Sequence, residues 1–201
     1  MKILIKKLSP FIPILIVLFI SILVALSTYK PGTILSGWDT LHPEFNLKLY
    51  SERVIWGAWQ EHQGLGSAAA QAHLAELPRL PVIWILTKLF NQNDVRYIFI
   101  LSMYVLGGTS TYWYIKYVWF NQLTKRSKQT SKNYIKSNSN SIAAAFGSLL
   151  YLFNLGTLQH FQVPLEMFAV HFATFGLILG AFHLFIKKGS KRFAVFLFIT
   201  Q

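Results

Sequence analysis

Leu80-Pro81-Val82-Ile83-Trp84-Ile85-Leu86-Thr87-Lys88-Leu89-Phe90 is the stretch on which the reading of this chain turns. It is apolar, yet its eleven residues would rise only about 16 Å as a helix, half the hydrocarbon thickness of a bilayer. Counted as a membrane span, it would invert everything downstream and put both basic loops on the outer face. As an interfacial or re-entrant helix it leaves those loops inside, in accord with the bias of cytoplasmic loops for Lys and Arg. The interfacial reading is adopted, and the topology follows from it.

Working outward, residues 11–28 form a first run in which positions 11–26 carry no charge, preceded by Lys2, Lys6 and Lys7. A cleaved signal peptide ending near Ala25-Leu26-Ser27 is the competing reading. The length of the run and the apolar segments that follow favour an uncleaved first span. On the other side, residues 97–120 read as a second span ending in a belt of Tyr112, Trp113, Tyr114, Tyr117 and Trp119, with Lys116 able to snorkel there. Residues 142–158 and 167–186 read as a third and a fourth span, and residues 193–201 as the start of a fifth. The expected fold is therefore all-α. It is a polytopic helical membrane protein of about four complete spans, with a long outer loop over residues 29–96 that carries amphipathic or interfacial helices. The chain is expected to be the amino-terminal piece of a larger protein.

Composition supports this class: 53% of residues are hydrophobic and 16% aromatic, with a mean hydropathy of +0.41. The net charge of +12 could suggest nucleic acid, but its distribution argues otherwise. Three lysines precede the first run, five basic residues crowd residues 121–141, which read as a loop, and four follow the fourth run. All seven acids lie outside, six in the first loop and the last at Glu166. The basic charge is thus accounted for by topology and by anionic lipid headgroups, and no nucleic-acid partner is expected. With no Cys, disulfide frameworks and thiolate chemistry are excluded. No phosphate-cradling glycine loop, nucleophile elbow or dinucleotide fingerprint occurs, so soluble-nucleotide chemistry is disfavoured.

The concentrated polar chemistry lies just beyond the first run, in Gly37-Trp38-Asp39-Thr40-Leu41-His42-Pro43-Glu44-Phe45-Asn46. Asp39, beside Trp38 and close to the bilayer, is the leading candidate for a general base, because partial desolvation favours a carboxylate that takes up a proton. A solvated loop residue or a cap for a helix opened by Pro43 is the other reading, and both stay open. Asp39, His42 and Glu44 also offer three metal donors in six residues. The spacing is loose and Pro43 restricts it, so a capping cluster is preferred; no cofactor is assigned and a divalent metal is left open. His62, His73, His160, His171 and His183 lack the paired spacing of a helix-borne zinc site. Glu166, beside Pro164 at the outer end of the fourth run, is a second catalytic candidate, since a carboxylate on an apolar background must be partnered or used. Residues 46–60 read as an amphipathic helix with Trp56 and Trp59 alongside.

These elements come in a definite order: a first span, Trp38-Asp39, a Trp-bearing helix through Trp56 and Trp59, Gly64-Leu65-Gly66, and Pro-flanked apolar residues 77–80. That layout resembles the amino-terminal part of the GT-C class of membrane glycosyltransferases, most closely its arabinofuranosyltransferase-like bacterial members. Phe153-Asn154-Leu155-Gly156-Thr157-Leu158-Gln159 before Pro164 is similar to the outer end of a span in that group, and the likeness runs over residues 31–166. With the amino terminus cytoplasmic, as the basic loops place it, the resemblance implies an enzyme of the bacterial plasma membrane that moves a sugar from a polyprenyl-phosphate donor to an envelope glycan or lipid on the outer face. It implies Asp39 as the base and carries over no other residue; beside it, the residues themselves offer Glu166 as an aid to catalysis, Trp38, Trp56 and Trp59 to stack on a sugar or isoprenoid, and His42 and Glu44 as further substrate-binding candidates. The activity would belong to the larger enzyme. The competing functions are a transporter or flippase of lipid-linked intermediates, which would call for carboxylates at mid-membrane depth, and a membrane scaffold without chemistry.

Overall fold

The computed structural model describes residues 10–37, 42–56, 59, 66, 77–120, 133–164 and 166–188. Among them every regular element is helical and no strand occurs, so the fold is all-α. The elements in order are α1 (Ile12–Thr28), a 3₁₀ turn (Pro43–Phe45), α2 (Leu47–Trp56), α3 (Leu80–Leu89), α4 (Gln92–Trp113) continuing as a π-helical stretch (Tyr114–Trp119), α5 (Asn133–Leu152), α6 (Leu155–Gln162) and α7 (Glu166–Lys188). The chain divides into two compact units, one of Met1–Tyr29 with Ile100–Gln201 and the other Lys30–Phe99.

In the larger unit Ile100, Tyr104, Tyr112 and Leu152 are large side chains that are fully buried, while along α1, α5 and α7 small residues take most of the buried positions and many large apolar ones face outward. On α1 the buried positions are Pro13, Val17, Ser21 and Ala25, one every fourth residue, and this narrow stripe packs on α5. Ser21 donates to the Val17 carbonyl at 2.8 Å, and Thr28 to that of Ala25 at 2.8 Å, so hydroxyls inside an apolar helix are satisfied by its own backbone. The large residues face outward: Phe19 is 62% exposed and Leu26 59%. On α5, Ser141, Ala144, Ala145 and Ser148 are buried while Ile142, Phe146 and Leu150 are exposed. On α7, Ala169, Ala173, Gly176, Gly180 and Ala181 are buried and Phe168, Phe175, Phe182 and Ile186 exposed.

Small residues at these contacts let backbones approach. A Cβ on Gly176 would lie 2.5 Å from the Ser110 carbonyl carbon and 2.7 Å from the Thr111 nitrogen, closer than non-bonded atoms come, so α7 touches the main chain of α4 there. Hydroxyls then bond across the seams. Ser110 donates to the Ala173 carbonyl at 2.8 Å, Ser148 to that of Gly108 at 2.5 Å, Tyr104 to that of Leu152 at 3.2 Å, and Tyr151 to that of Phe172 at 3.0 Å. Close packing of small residues plus interhelical hydrogen bonds is how helices associate where apolar burial gives no advantage.

Phe168–Lys187 is long and apolar enough to cross a membrane. Ser139–Leu152 and Leu155–Gln162 pass the same test only as a pair bent by 55°, while Ile12–Thr28 and Leu80–Leu89 are shorter apolar helices. The third run thus differs from the uninterrupted span 142–158 read from sequence. Asn154 takes an extended ψ of 149° and its side chain accepts from Thr157 N, capping a new helix; the cap restarts the chain in a new direction. Helix α5 also begins at Asn133, so residues 133–141 are not loop, as adding turns to an existing apolar helix costs far less than nucleating one. Helix α4 starts at Gln92, ahead of the expected 97. Residues 193–201, expected to open a fifth span, lie outside the described residues, as do 121–132 of the basic loop.

In the smaller unit the 3₁₀ turn packs against α2 and α3. Pro43 stands in its first turn, where a missing N–H costs nothing. Asn46 accepts from Leu49 N at 3.1 Å, capping α2, which occupies Leu47–Trp56 of the amphipathic stretch 46–60 read from sequence. Tyr50, Val54, Ile83, Val95, Tyr97 and Phe99 form the core.

Candidate functional site

The turn holding Pro43 brings His42 and Glu44 to the same side, and α4 supplies the partner. Glu44 Oε1 lies 3.0 Å from His42 Nδ1 and 3.3 Å from Arg96 Nε. The Glu44 and Arg96 side chains are each 2% exposed, that of His42 28%. Gln92 Nε2 donates to the main-chain carbonyl of Glu44 at 2.6 Å, so α4 holds this residue through both backbone and side chain. An isolated carboxylate this deep would carry a large desolvation penalty, which the guanidinium offsets.

A carboxylate only accepts hydrogen bonds, so the His42–Glu44 contact fixes Nδ1 as the protonated nitrogen and leaves Nε2 for other work. The ring also lies beside that of Phe45, with centroids 5.4 Å apart and planes at 45°. A second buried cation lies in the same unit: Arg79 Nη2 donates to Tyr50 Oη at 3.1 Å, and its guanidinium stands 5.8 Å from the Tyr50 ring and 5.7 Å from that of Phe99. Imidazole, carboxylate and guanidinium side by side can hold and move a proton and can attract an anion.

Of the residues singled out from sequence, Trp38 and Asp39 lie outside the described residues. Glu166 is the first residue of α7. Trp56 ends α2, 78% exposed, and Trp59 is 60% exposed. His42 and Glu44 are the pair brought together. Arg96, Gln92, Arg79 and Tyr50 were not singled out from sequence. A signal existed for Arg96: it stands between Val95 and Tyr97, both buried, at the start of an apolar run, where a cation needs an acid from elsewhere in the chain. Among the described residues no three acids or histidines converge as a metal-holding group.

The larger unit has an open groove of roughly 400 Å³ beside the α5–α6 break, lined by Tyr151, Thr157, His160, Phe161, Phe172 and Phe175 among others. Tyr151 stacks on Phe172 with centroids 4.4 Å apart and planes 4° from parallel, and His160 stacks on Phe168 at 5.0 Å. Its walls are aromatic, and they suit a flexible hydrocarbon chain better than a hydrated ligand. No known protein family, curated protein or solved structure matches the chain.

Proposed function

We propose that this chain is a polytopic membrane protein of the GT-C kind, taking a sugar from a polyprenyl-phosphate donor and passing it to an envelope glycan or lipid at the outer face. The observation that carries the membrane part is the outward face of α1, α5 and α7 in the larger unit. Phenylalanines, leucines and isoleucines such as Phe19, Leu26, Phe146, Leu150, Phe182 and Ile186 are exposed there, while small residues take most of the buried positions on the same helices. Large exposed apolar surface of that extent is costly in water and neutral in lipid.

Two further features support the transfer reaction. The groove along Tyr151, Phe161, Phe172 and Phe175 fits isoprene units of a donor entering from the side. The stretch around His42 and Glu44 gathers proton-handling groups next in sequence to Asp39, the base that the resemblance implies. Asp39 would take the proton of the acceptor hydroxyl as that oxygen attacks the anomeric carbon.

The test is transfer of radiolabelled sugar from a polyprenyl-phosphate donor in membranes bearing the wild-type protein or Asp39→Asn. A positioned base contributes about 10²–10⁴-fold. Turnover in Asp39→Asn should fall by at least the lower figure, and near-wild-type turnover would sink the assignment.

A further inference from the structure

We propose that His42 is the proton donor to the phosphate of the lipid-linked substrate, held in place for that task by the buried Glu44–Arg96 pair. The substrate in this proposal rests on the transferase reading above; the geometry does not. Three observations point to it.

The first is the fixed tautomer. Glu44 Oε1 at 3.0 Å from Nδ1 accepts that proton, so a ring protonated on both nitrogens presents its second N–H at Nε2, with the new positive charge lying against a carboxylate. The second is the rigidity of the support. Glu44 is held at its carboxylate by Arg96 at 3.3 Å and at its carbonyl by Gln92 at 2.6 Å, while Pro43 restricts the backbone between it and His42. The imidazole and the guanidinium share the same Glu44 oxygen, so the anchored carboxylate fixes the orientation of the ring. The third is access. The ring keeps 28% of its surface while its partners keep 2%, so the buried members support the one that can meet a ligand.

The chemistry balances. The acceptor oxygen forms a bond to the anomeric carbon and loses its proton to Asp39. The bond from that carbon to the phosphate oxygen breaks, its electron pair stays on the phosphate, and the Nε2 proton of His42 moves to that oxygen. Over a turnover one proton has passed from acceptor to leaving phosphate, and exchange with solvent resets both residues. His42 is then catalytic and Glu44 a positioning residue.

The experiment is a titration of the full chain, labelled with ¹⁵N-histidine, in phosphatidylcholine nanodiscs. Three probes are compared: farnesyl monophosphate, farnesol and inorganic phosphate. Farnesyl monophosphate is expected to move the His42 Nε2 resonance saturably, farnesol to leave it in place, and inorganic phosphate to move it only at far higher concentration. Glu44→Gln should weaken the response to farnesyl monophosphate by about tenfold, and Glu44→Asp should recover part of it. A probe that fails to bind, or binds with His42 unmoved, overturns the proposal, as does an equal response to farnesol. An equal response to inorganic phosphate overturns the lipid-linked assignment. The wild-type titration needs no variant, so a misfolded Glu44→Gln would not blunt the test. Should sugar transfer be absent while His42 still responds to farnesyl monophosphate, the transferase reading falls and the phosphate contact stands.

Discussion

Replacing Gly176 by Ala puts the contact between α4 and α7 to a direct test. In the middle of a helix that change by itself favours folding by about 1 kcal/mol, because Ala has the better propensity. The new methyl, however, would sit 2.5 Å from the Ser110 carbonyl carbon and 2.7 Å from both the Ser110 oxygen and the Thr111 nitrogen. All three are backbone atoms that cannot swing away, so the helices must part by about 1 Å to restore ordinary contact distances. That parting stretches the Ser110 to Ala173 hydrogen bond, 2.8 Å at present, worth about 0.6–1.7 kcal/mol in a membrane. Overpacking adds about 1–3 kcal/mol. Net destabilisation of about 1–3 kcal/mol is expected after the propensity gain is subtracted. The assay is reversible unfolding of the protein in mixed micelles by titration with a denaturing detergent, followed by circular dichroism. Gly156→Ala is the control, since the nearest atom to its new methyl is Asn154 Oδ1 at 3.4 Å. Equal stability for Gly176→Ala and Gly156→Ala, or a gain in the former, would refute the close approach of α4 and α7.

Further outcomes follow from other sites. Glu44→Gln should cost about 1–3 kcal/mol by removing the carboxylate charge that stands 3.3 Å from the buried Arg96 guanidinium; adding Arg96→Met should return part of that loss, and a double-mutant cycle that shows additivity instead would remove the pair from the account. Asn154→Ala deletes the acceptor for Thr157 N at 2.9 Å and should cost about 1 kcal/mol, read in the same unfolding titration, with no change counting against the cap. Single cysteines at Phe19, Leu150 and Phe182, all exposed, should be protected from a water-soluble thiol reagent in nanodiscs, yet react with a lipid-soluble one. Rapid aqueous labelling at all three would contradict the proposed lipid exposure of the larger unit.

Much of the fold was legible in the chain. Apolar runs at 11–28 and 167–186 predicted helices, and the structure has Ile12–Thr28 and Glu166–Lys188, because long runs of Leu, Ile and Phe without Pro in their interior have few alternatives to a helix. The shortness of residues 80–90 likewise marked a separate helix, observed at Leu80–Leu89. The break at Asn154 was not read, although Asn is a preferred helix N-cap residue, because the apolar content on either side ran through it. Nor was the helical character of 133–141, whose polar residues carry no periodicity and take their conformation from the turns that follow.

The candidate site divides in the same way. Asp39, His42 and Glu44 stood out because acids and histidines are scarce in so apolar a chain, and scarcity can be seen in one dimension. Which of them is buried, and against what, cannot. Arg96 lies 52 positions from Glu44 in the sequence, and only the folding of the turn onto α4 brings the two charges to 3.3 Å. Sequence by itself determined the helical class, the positions of the long apolar helices and the segregation of charge, since each depends on local composition and period. Tertiary structure decided the pairing of Glu44 with Arg96, the anchoring of His42 and the contact of Gly176 with the backbone of α4, since each depends on distances between residues far apart in the chain.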